Sequence, residues 1–189
     1  MGSPISDLLA SLRAAFEDLG VGWYLFGAQA ALVHGTARLT ADVDVTVHLG
    51  EYTPDTLVEM LSAFGFQSLQ VDPEFVARTR VLPIRHIATG IPVDIVIAGP
   101  GIEELFLHRA QVYDLGGVQV PVACAEDIIV MKILGGRPKD LEDVSAILAA
   151  KRRDLDLELV KDTLRLIEQA LDRSDLISEL ERIVEQLSE

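Results

Sequence analysis

The stretch that decides the fold is Gly27–Thr46, GAQAALVHGTARLTADVDVT. It begins with small residues that can close a strand and open a helix, and it ends with two aspartates one residue apart among valines. Side chains alternate between the two faces of a strand, so Asp42 and Asp44 point to one side and the intervening valines to the other. The valines predict a buried face. The opposite face carries two carboxylates about 6.5–7 Å apart along the backbone.

These paired carboxylates predict a magnesium site. Two like charges side by side are unfavourable unless a cation or a shared proton relieves them. Magnesium takes oxygen ligands and typically uses one or two carboxylates together with substrate phosphates. The alternative is a solvated strand face that binds nothing.

A third carboxylate, Asp94, favours the magnesium site. It is the lone charge in the apolar run Pro92–Ala98, PVDIVIA, which predicts a buried strand. An isolated buried carboxylate is costly, so a partner or a metal is expected. If this strand lies beside the strand of Asp42 and Asp44, three carboxylates gather on one surface.

The residues ahead of the aspartates suggest a phosphate-binding turn. Gly27 and Ala28 would let a phosphate approach backbone N–H groups at a helix start; the alternative is a tight strand-to-helix connection. Thr40 and Arg38 sit just before the aspartates, and the arginine could hold a phosphate oxygen or form a salt bridge to Asp42 or Asp44. His34 could contact a ligand or be a structural histidine.

Composition bounds the class of protein. The chain has 189 residues, of which 49% are hydrophobic, which suits one domain or one domain with an appendage. Cys124 is the single cysteine, which excludes an internal disulfide and fits a reducing cytoplasm. The formal charge of −14 argues against a general nucleic-acid coat protein. A local basic cleft is still compatible with the sequence, from Arg78, Arg80, Arg85, Lys132, Arg137 and Lys139.

No membrane segment or signal peptide is expected. The longest apolar stretch, Val21–Gly35, is interrupted by Gln29 and is too short to cross a bilayer. No basic segment precedes an apolar run at the start. We therefore expect a cytoplasmic protein without a membrane partner.

The order of predicted elements gives an α/β (α+β) class. Helices and strands alternate up to Val122, and amphipathic helices fill the remainder, so we predict an α/β core over 1–122 and a helical region over 123–189. Predicted helices are 5–19, 28–33, 54–64, 103–110, 125–134, 138–150, 157–171 and 175–187. Predicted strands are 21–26, 42–48 and 92–98, further short strands between 66 and 97, and a hairpin over 111–122.

A second motif lies at Ala125–Leu148, AEDIIVMKILGGRPKDLEDVSAIL. Asp140 and Asp143 are three residues apart on one helical face. Lys132 lies among apolar residues, where it either balances an acidic pocket or extends to the surface as a snorkelling side chain. Arg137 and Asp140 could also simply pair with each other.

Together, the small-residue turn, RLTADVDV, VDIVI and the second motif resemble the nucleotidyltransferase superfamily with the DNA polymerase β-like fold. They resemble most the AbiEii-type nucleotidyltransferases, toxin-like proteins of type IV toxin–antitoxin systems. The resemblance covers roughly residues 21–148. It implies a small mixed sheet flanked by helices, followed by a helical portion that completes the active-site cleft.

The resemblance also implies roles for individual residues. Two Mg2+ ions would be bound by Asp42, Asp44 and Asp94, and Asp94 would help to activate the acceptor hydroxyl. Lys132 would reach the nucleotide phosphates or the leaving group, as a catalytic and nucleotide-binding residue. The other implied nucleotide-binding residues are Gly27, Ala28, Arg38, Thr40, Arg137, Asp140 and Asp143. The family more often has Gly-Ser or Gly-Gly where this chain has Gly-Ala, so a phosphate-binding hydroxyl is lost.

The function expected from this resemblance is Mg2+-dependent transfer of an NMP from an NTP to a hydroxyl acceptor. The acceptor is open between an RNA 3′ end such as that of tRNA, a protein and a small molecule, and a toxin role implies a cognate antitoxin. One alternative is a non-catalytic nucleotide-binding domain that retains the fold. The other is an interaction protein whose helices over 157–187 dock an antitoxin partner.

Overall fold

The computed structural model describes residues 3–37, 40–69 and 72–187. The described chain divides into two compact units. The first, the sheet unit, comprises residues 3–29 and 40–123, and the second, the helical unit, comprises residues 30–37 and 124–187. The predicted division was a single cut after residue 122; the structure also groups the short segment 30–37 with the C-terminal helices.

The sheet unit contains a mixed sheet with helices between its strands, which confirms the predicted α/β class. The elements up to residue 122 are α1 (Pro4–Leu19), β1 (Gly22–Phe26), α2 (Gly27–Val33), β2 (Val43–His48), α3 (Pro54–Ala63), β3 (Phe66–Ser68), α4 (Pro73–Thr79), β4 (Val81–His86), β5 (Pro92–Ile97), α5 (Ile102–Arg109), β6 (Gln111–Asp114) and β7 (Gln119–Val122). Helix α2 starts in the sheet unit and ends in the helical unit.

Seven strands form the sheet in the order β3-β4-β5-β2-β1-β7-β6. The pairs β2–β5 and β1–β7 are parallel, whereas β1–β2, β3–β4, β4–β5 and β6–β7 are antiparallel. The β6–β7 pair is the predicted hairpin. Strand β5 pairs with β2 although two other strands lie between them in sequence, and this pairing positions the candidate site.

The two faces of the sheet differ in burial. Val43, Val45 and Val47 of β2, and Val93 and Ile95 of β5, are 0% exposed on one face. On the opposite face of the sheet, the residues of β4 and β5 are half-buried or exposed. Burying a valine or isoleucine side chain contributes about 1.5–3 kcal/mol, so this apolar face fixes which way each strand is turned.

Helix α4 is the element that the sequence did not predict. Its N-cap Asp72 accepts a hydrogen bond from the backbone N–H of Glu74 at 3.0 Å, and a proline follows the cap. Its C-cap Arg80 has a positive φ of 59°, which turns the chain into β4. The cap followed by proline is the same signal that predicted α3, where Thr53 precedes Pro54.

The helical unit is built from α6 (Ala125–Gly135), α7 (Pro138–Lys151), α8 (Leu157–Leu171) and α9 (Leu176–Gln186). Helix α6 packs against the other three, and α9 packs against α7 and α8. Ile129, Ile147, Leu164 and Leu180 contribute one side chain from each helix, and all are 0% exposed. No helix in the described part of the chain is long and apolar enough to cross a bilayer.

Candidate active site

Asp44 and Asp94 lie side by side in the sheet unit. The parallel register of β2 and β5 pairs the two residues directly, with Val43 opposite Val93 and Val45 opposite Ile95. Because paired residues in a ladder point to the same face, both carboxylates project from the face opposite the buried valines. Both aspartates are half-buried.

Asp42 joins this pair from the residue just before β2. It lies two residues from Asp44, on the same side of the chain by strand alternation. The hydroxyl of Thr40 donates a hydrogen bond to its Oδ1 atom. Burial raises the pKa of Asp94, and the negative charge of Asp42 raises it further. Asp42 and Asp94 are therefore close enough to influence each other, and the structure brings the three predicted acids into one neighbourhood.

The turn at Gly27 lies against the same acids. Antiparallel pairing of β1 with β2 places Phe26 opposite Asp44, so the chain turns into α2 beside that aspartate. Gly27 has a φ of +66°, and a Cβ atom at this position would lie 2.7 Å from Cγ of Asp44. Any side chain here would displace the carboxylate, so the glycine is required for both conformation and space.

The residues around this turn have small side chains or tie the turn to the acids. Ala28 is 8% exposed. Nε2 of Gln29 donates a hydrogen bond of 3.4 Å to the backbone oxygen of Thr40 and so joins the start of α2 to the segment ahead of Asp42. Arg38, the predicted phosphate or carboxylate partner in that segment, lies outside the described residues.

The donor chemistry of the three acids fits magnesium. All three supply carboxylate oxygens, and the raised pKa of Asp94 means that its surroundings disfavour its negative charge until a cation compensates it. Within the described residues no group of three or more His, Cys, Asp or Glu side chains is placed so that it could hold a metal ion, so the three acids do not converge as a complete ligand set. A partial set of protein ligands is what magnesium usually has, because substrate phosphates and water complete its coordination.

Lys132, Asp140 and Asp143 form a buried cluster in the helical unit. The ammonium Nζ of Lys132 on α6 donates to Oδ1 of Asp140 at 3.2 Å and to Oδ2 of Asp143 at 2.5 Å, both on α7. The exposed side chain of Arg137 donates from Nε to Oδ2 of Asp140 at 2.5 Å. The ammonium group is therefore hydrogen-bonded to two carboxylates. The pairing of Arg137 with Asp140, which the sequence left open as an alternative, is also present.

These bonds set the ionisation of Asp140. Burial by itself raises the pKa of a carboxyl, but here the hydrogen bonds from Arg137 and Lys132 outweigh it and lower the pKa of Asp140. Lys132 is 7% exposed, so it is a buried, paired lysine rather than a snorkelling surface residue. His34 is 1% exposed in the helical unit, and whether it contacts a ligand or has a structural role stays a prediction.

Strand β4 brings two residues beside the acids that sequence reasoning did not place there. Its register puts Pro83 opposite Asp94 and Arg85 opposite Pro92, on the same face as the carboxylates. The sequence had grouped Arg85 only with five other basic residues as a possible cleft. The alternation in VLPIRH, with apolar Leu82 and Ile84 between the outward residues, is the signal that would have found it.

A family model and several solved structures match this chain. The model of a family described as "Nucleotidyltransferase of unknown function (DUF6036)" matches residues 13–186. No curated protein matches the chain in sequence.

Solved structures of nucleotidyltransferases share the fold. A solution structure of the antibiotic-resistance factor ANT(2'')-Ia is 15% identical, with a TM-score of 0.60, over 91% of this chain and 95% of that one. A crystal structure of ANT(2'')-Ia with adenylyl-2''-tobramycin is 16% identical, with a TM-score of 0.56, over 86% and 95%. The lincosamide antibiotic adenylyltransferase LnuA, bound to lincomycin, is 14% identical, with a TM-score of 0.53, over 75% and 94%. At these identities the likeness shows a common fold.

Proposed function

Because the chain belongs to the DUF6036 family of nucleotidyltransferases, we propose that it transfers an NMP from an NTP to a hydroxyl acceptor in a Mg2+-dependent reaction. The observation that carries this proposal is the in-register pairing of Asp44 with Asp94 on neighbouring parallel strands. Asp42 lies two residues away, and Gly27 packs against Asp44. Three carboxylates beside a turn that admits no side chain are a suitable arrangement for holding a metal–triphosphate complex.

In the proposed mechanism the chain mainly binds and orients. Asp42, Asp44 and Asp94 would hold two Mg2+ ions, which supply charge neutralisation for the triphosphate and the departing pyrophosphate. The backbone at Gly27 and Ala28 would accommodate the phosphates, because neither residue has a bulky side chain. The acceptor oxygen bonds to the α-phosphorus, the bond from that phosphorus to the β-bridging oxygen breaks, and pyrophosphate leaves with the electron pair.

Asp94 would receive the proton of the acceptor hydroxyl. Its carboxylate projects from the same face of the sheet as that of Asp44, where the metal–triphosphate complex is proposed to lie. Asp44, directly beside it, would keep the hydroxyl and the triphosphate on the same face of the sheet. The chain's contribution is then positioning and electrostatic compensation.

We also propose a toxin role of the AbiEii type, which rests on the resemblance of the segment containing Lys132, Arg137, Asp140 and Asp143. The bonds of Lys132 to two carboxylates support a structural part for this segment, and its contact with nucleotide phosphates stays a prediction. A cognate antitoxin is the partner that this role implies. The structures with tobramycin and lincomycin make a small-molecule acceptor the competing possibility.

A non-catalytic nucleotide-binding module is the second candidate function. It is favoured by Ala28, which occupies the position where related enzymes often carry a phosphate-binding serine. The fold and the three acids would be retained in such a module, but turnover would be absent.

Label transfer tests the proposal. The protein is incubated with Mg2+, each α-labelled NTP in turn, and either cell extract, tRNA, tobramycin or lincomycin, and both labelled product and released pyrophosphate are measured. We expect one NTP to support transfer, and Asp44→Asn to lower the rate by at least about a thousandfold. Asp18→Asn, which changes an exposed acid on α1, is the matched control and should retain full activity. Calorimetric NTP binding without pyrophosphate release would favour the module.

A further inference from the structure

Arg85 is a cation on the same face of the sheet as Asp94. Arg85 is exposed, and in the described parts of the chain no hydrogen bond or ion pair engages its guanidinium group. By contrast, Arg13 pairs with Glu17 at 2.7 Å, and Arg80 donates to the backbone oxygen of Ile97.

The sheet register places Arg85 in the same row as Asp42. Arg85 is opposite Pro92, and extending the β2–β5 register by one residue beyond the Val43–Val93 pair brings Pro92 beside Asp42. Neighbouring strands lie about 4.8 Å apart, so two strand spacings, about 10 Å, separate the backbones of Arg85 and Asp42. A backbone separation of about 10 Å leaves room for a phosphate group between the Arg85 side chain and the carboxylates that are proposed to hold Mg2+.

The in-line geometry of the displacement decides which substrate lies next to Arg85. In phosphoryl-type displacements the attacking and leaving oxygens lie on opposite sides of the phosphorus. The Gly27 turn, where the triphosphate is proposed to lie, is on the β1 side of Asp44. The acceptor then approaches from the other side of the acids, over β5 and β4, which is the side of Arg85.

We propose that Arg85 is a specificity-determining residue that binds a phosphate group of the acceptor. The acceptor is therefore a phosphate-bearing alcohol, either the end of an RNA strand or a small phosphorylated molecule, and not a polycation such as tobramycin. This inference rests on the proposed function for its assignment of sides. Arginine suits the task because its planar group binds phosphate oxygens in a bidentate manner and stays charged.

Binding without NTP tests the inference independently of catalysis. A fluorescent 12-nucleotide oligoribonucleotide, glycerol 3-phosphate and tobramycin are titrated against the intact protein in Mg2+, by anisotropy or calorimetry. We expect one phosphate probe to bind more tightly than tobramycin, and Arg85→Gln to weaken that binding at least about tenfold. Arg13→Gln removes the same charge elsewhere and should change nothing. Arg85→Lys should restore part of the affinity, which a purely structural role would not predict.

Kinetics then separates the acceptor from the nucleotide. With the acceptor found by label transfer, Arg85→Gln should raise the acceptor KM at least about tenfold and leave the NTP KM unchanged. A raised NTP KM, unchanged phosphate binding, or preference for tobramycin would overturn the inference. Arg85-dependent phosphate binding without any transfer would instead refute the proposed function and leave the phosphate site in place.

Discussion

Asp94 of the sheet acids (Asp42, Asp44 and Asp94) and Asp140 of the helix acids (Asp140 and Asp143) are the same kind of group in opposite electrostatic states. The pKa of Asp94 is raised, by burial and then by the charge of Asp42. The pKa of Asp140 is lowered, because hydrogen bonds from Arg137 and Lys132 outweigh the effect of its burial. One unit of the protein supplies cations to its carboxylates, and the other crowds carboxylates together.

This difference separates a structural cluster from a binding site. The helix acids gain their compensation within the fold, so their ionised form stabilises the packing of α6 against α7. Asp94 has a net environment that disfavours its charge, so a cation from solution or substrate would stabilise it. Residue type alone does not distinguish the two; the partners that each fold unit provides do.

Breaking the helix cluster should give the largest effect on stability. Lys132→Met removes the cation from two carboxylates that are 2% and 4% exposed. Loss of one partner from a buried ion pair costs about 3–5 kcal/mol, and we expect about 3 kcal/mol because Arg137 still bonds Asp140. Urea unfolding followed by circular dichroism measures the change in the free energy of unfolding.

Lys161→Met is the control for this variant. It is the same substitution in the same unit, but Lys161 is 31% exposed and its ion pairs are 3.7 and 3.8 Å long, so we expect a loss of at most about 1 kcal/mol. Adding Asp143→Leu to Lys132→Met should recover part of the loss, since an apolar pair leaves fewer uncompensated charges. Equal stability of the two lysine variants would contradict a structural role for the cluster.

Magnesium binding should also distinguish the two groups of acids, through a change in the free energy of unfolding that is smaller than the loss expected for Lys132→Met. A ligand that binds only the folded state stabilises it by about 1.4 kcal/mol at ten times its dissociation constant. We expect this increase for the wild-type protein and for Asp143→Asn, and we expect Asp94→Asn to lose it. The measurement is thermal and urea unfolding with and without MgCl2, with matched ionic strength. Magnesium stabilisation that survives Asp94→Asn but not Asp143→Asn would reverse the assignment.

The sequence predicted the fold class because its signals are local. Period-two alternation turned Asp42 and Asp44 to one face, and the structure has strand β2 at Val43–His48. The Thr53 cap and the proline that follows it set the start of α3. The α/β class with a mixed sheet and C-terminal helices follows from such patterns and is confirmed.

Long-range pairing could not be predicted from the sequence. Strand β5 lies beside β2 although β3 and β4 intervene in sequence. The sequence could therefore place Asp94 beside Asp44 only on the condition that these two strands are neighbours. The bonds of Lys132 to Asp140 and Asp143 depend on how α6 packs against α7, which helical periodicity does not specify. The position of Arg85 in the same row as the acids depends on the register of β4 against β5, which the sequence does not specify.

The pH dependence of stability should give the smallest effect, and its direction should be opposite for Asp140 and Asp94. A carboxyl with a lowered folded pKa binds fewer protons than in the unfolded chain, so Asp140 adds stability above the ordinary carboxyl pKa and loses it as the pH falls. Asp94, with a raised pKa, has the opposite slope: its contribution becomes less favourable as the pH rises through the range between its unfolded and folded values. One proton allows at most about 1.4 kcal/mol per pH unit, and we expect a fraction of that.

Unfolding free energies measured from pH 3 to pH 7 should therefore show that wild type exceeds Asp140→Asn by a margin that shrinks towards acid. Relative to wild type, Asp94→Asn should gain most at the upper end of that range. Parallel margins for the two variants would mean that Asp94 and Asp140 do not differ in their electrostatic state.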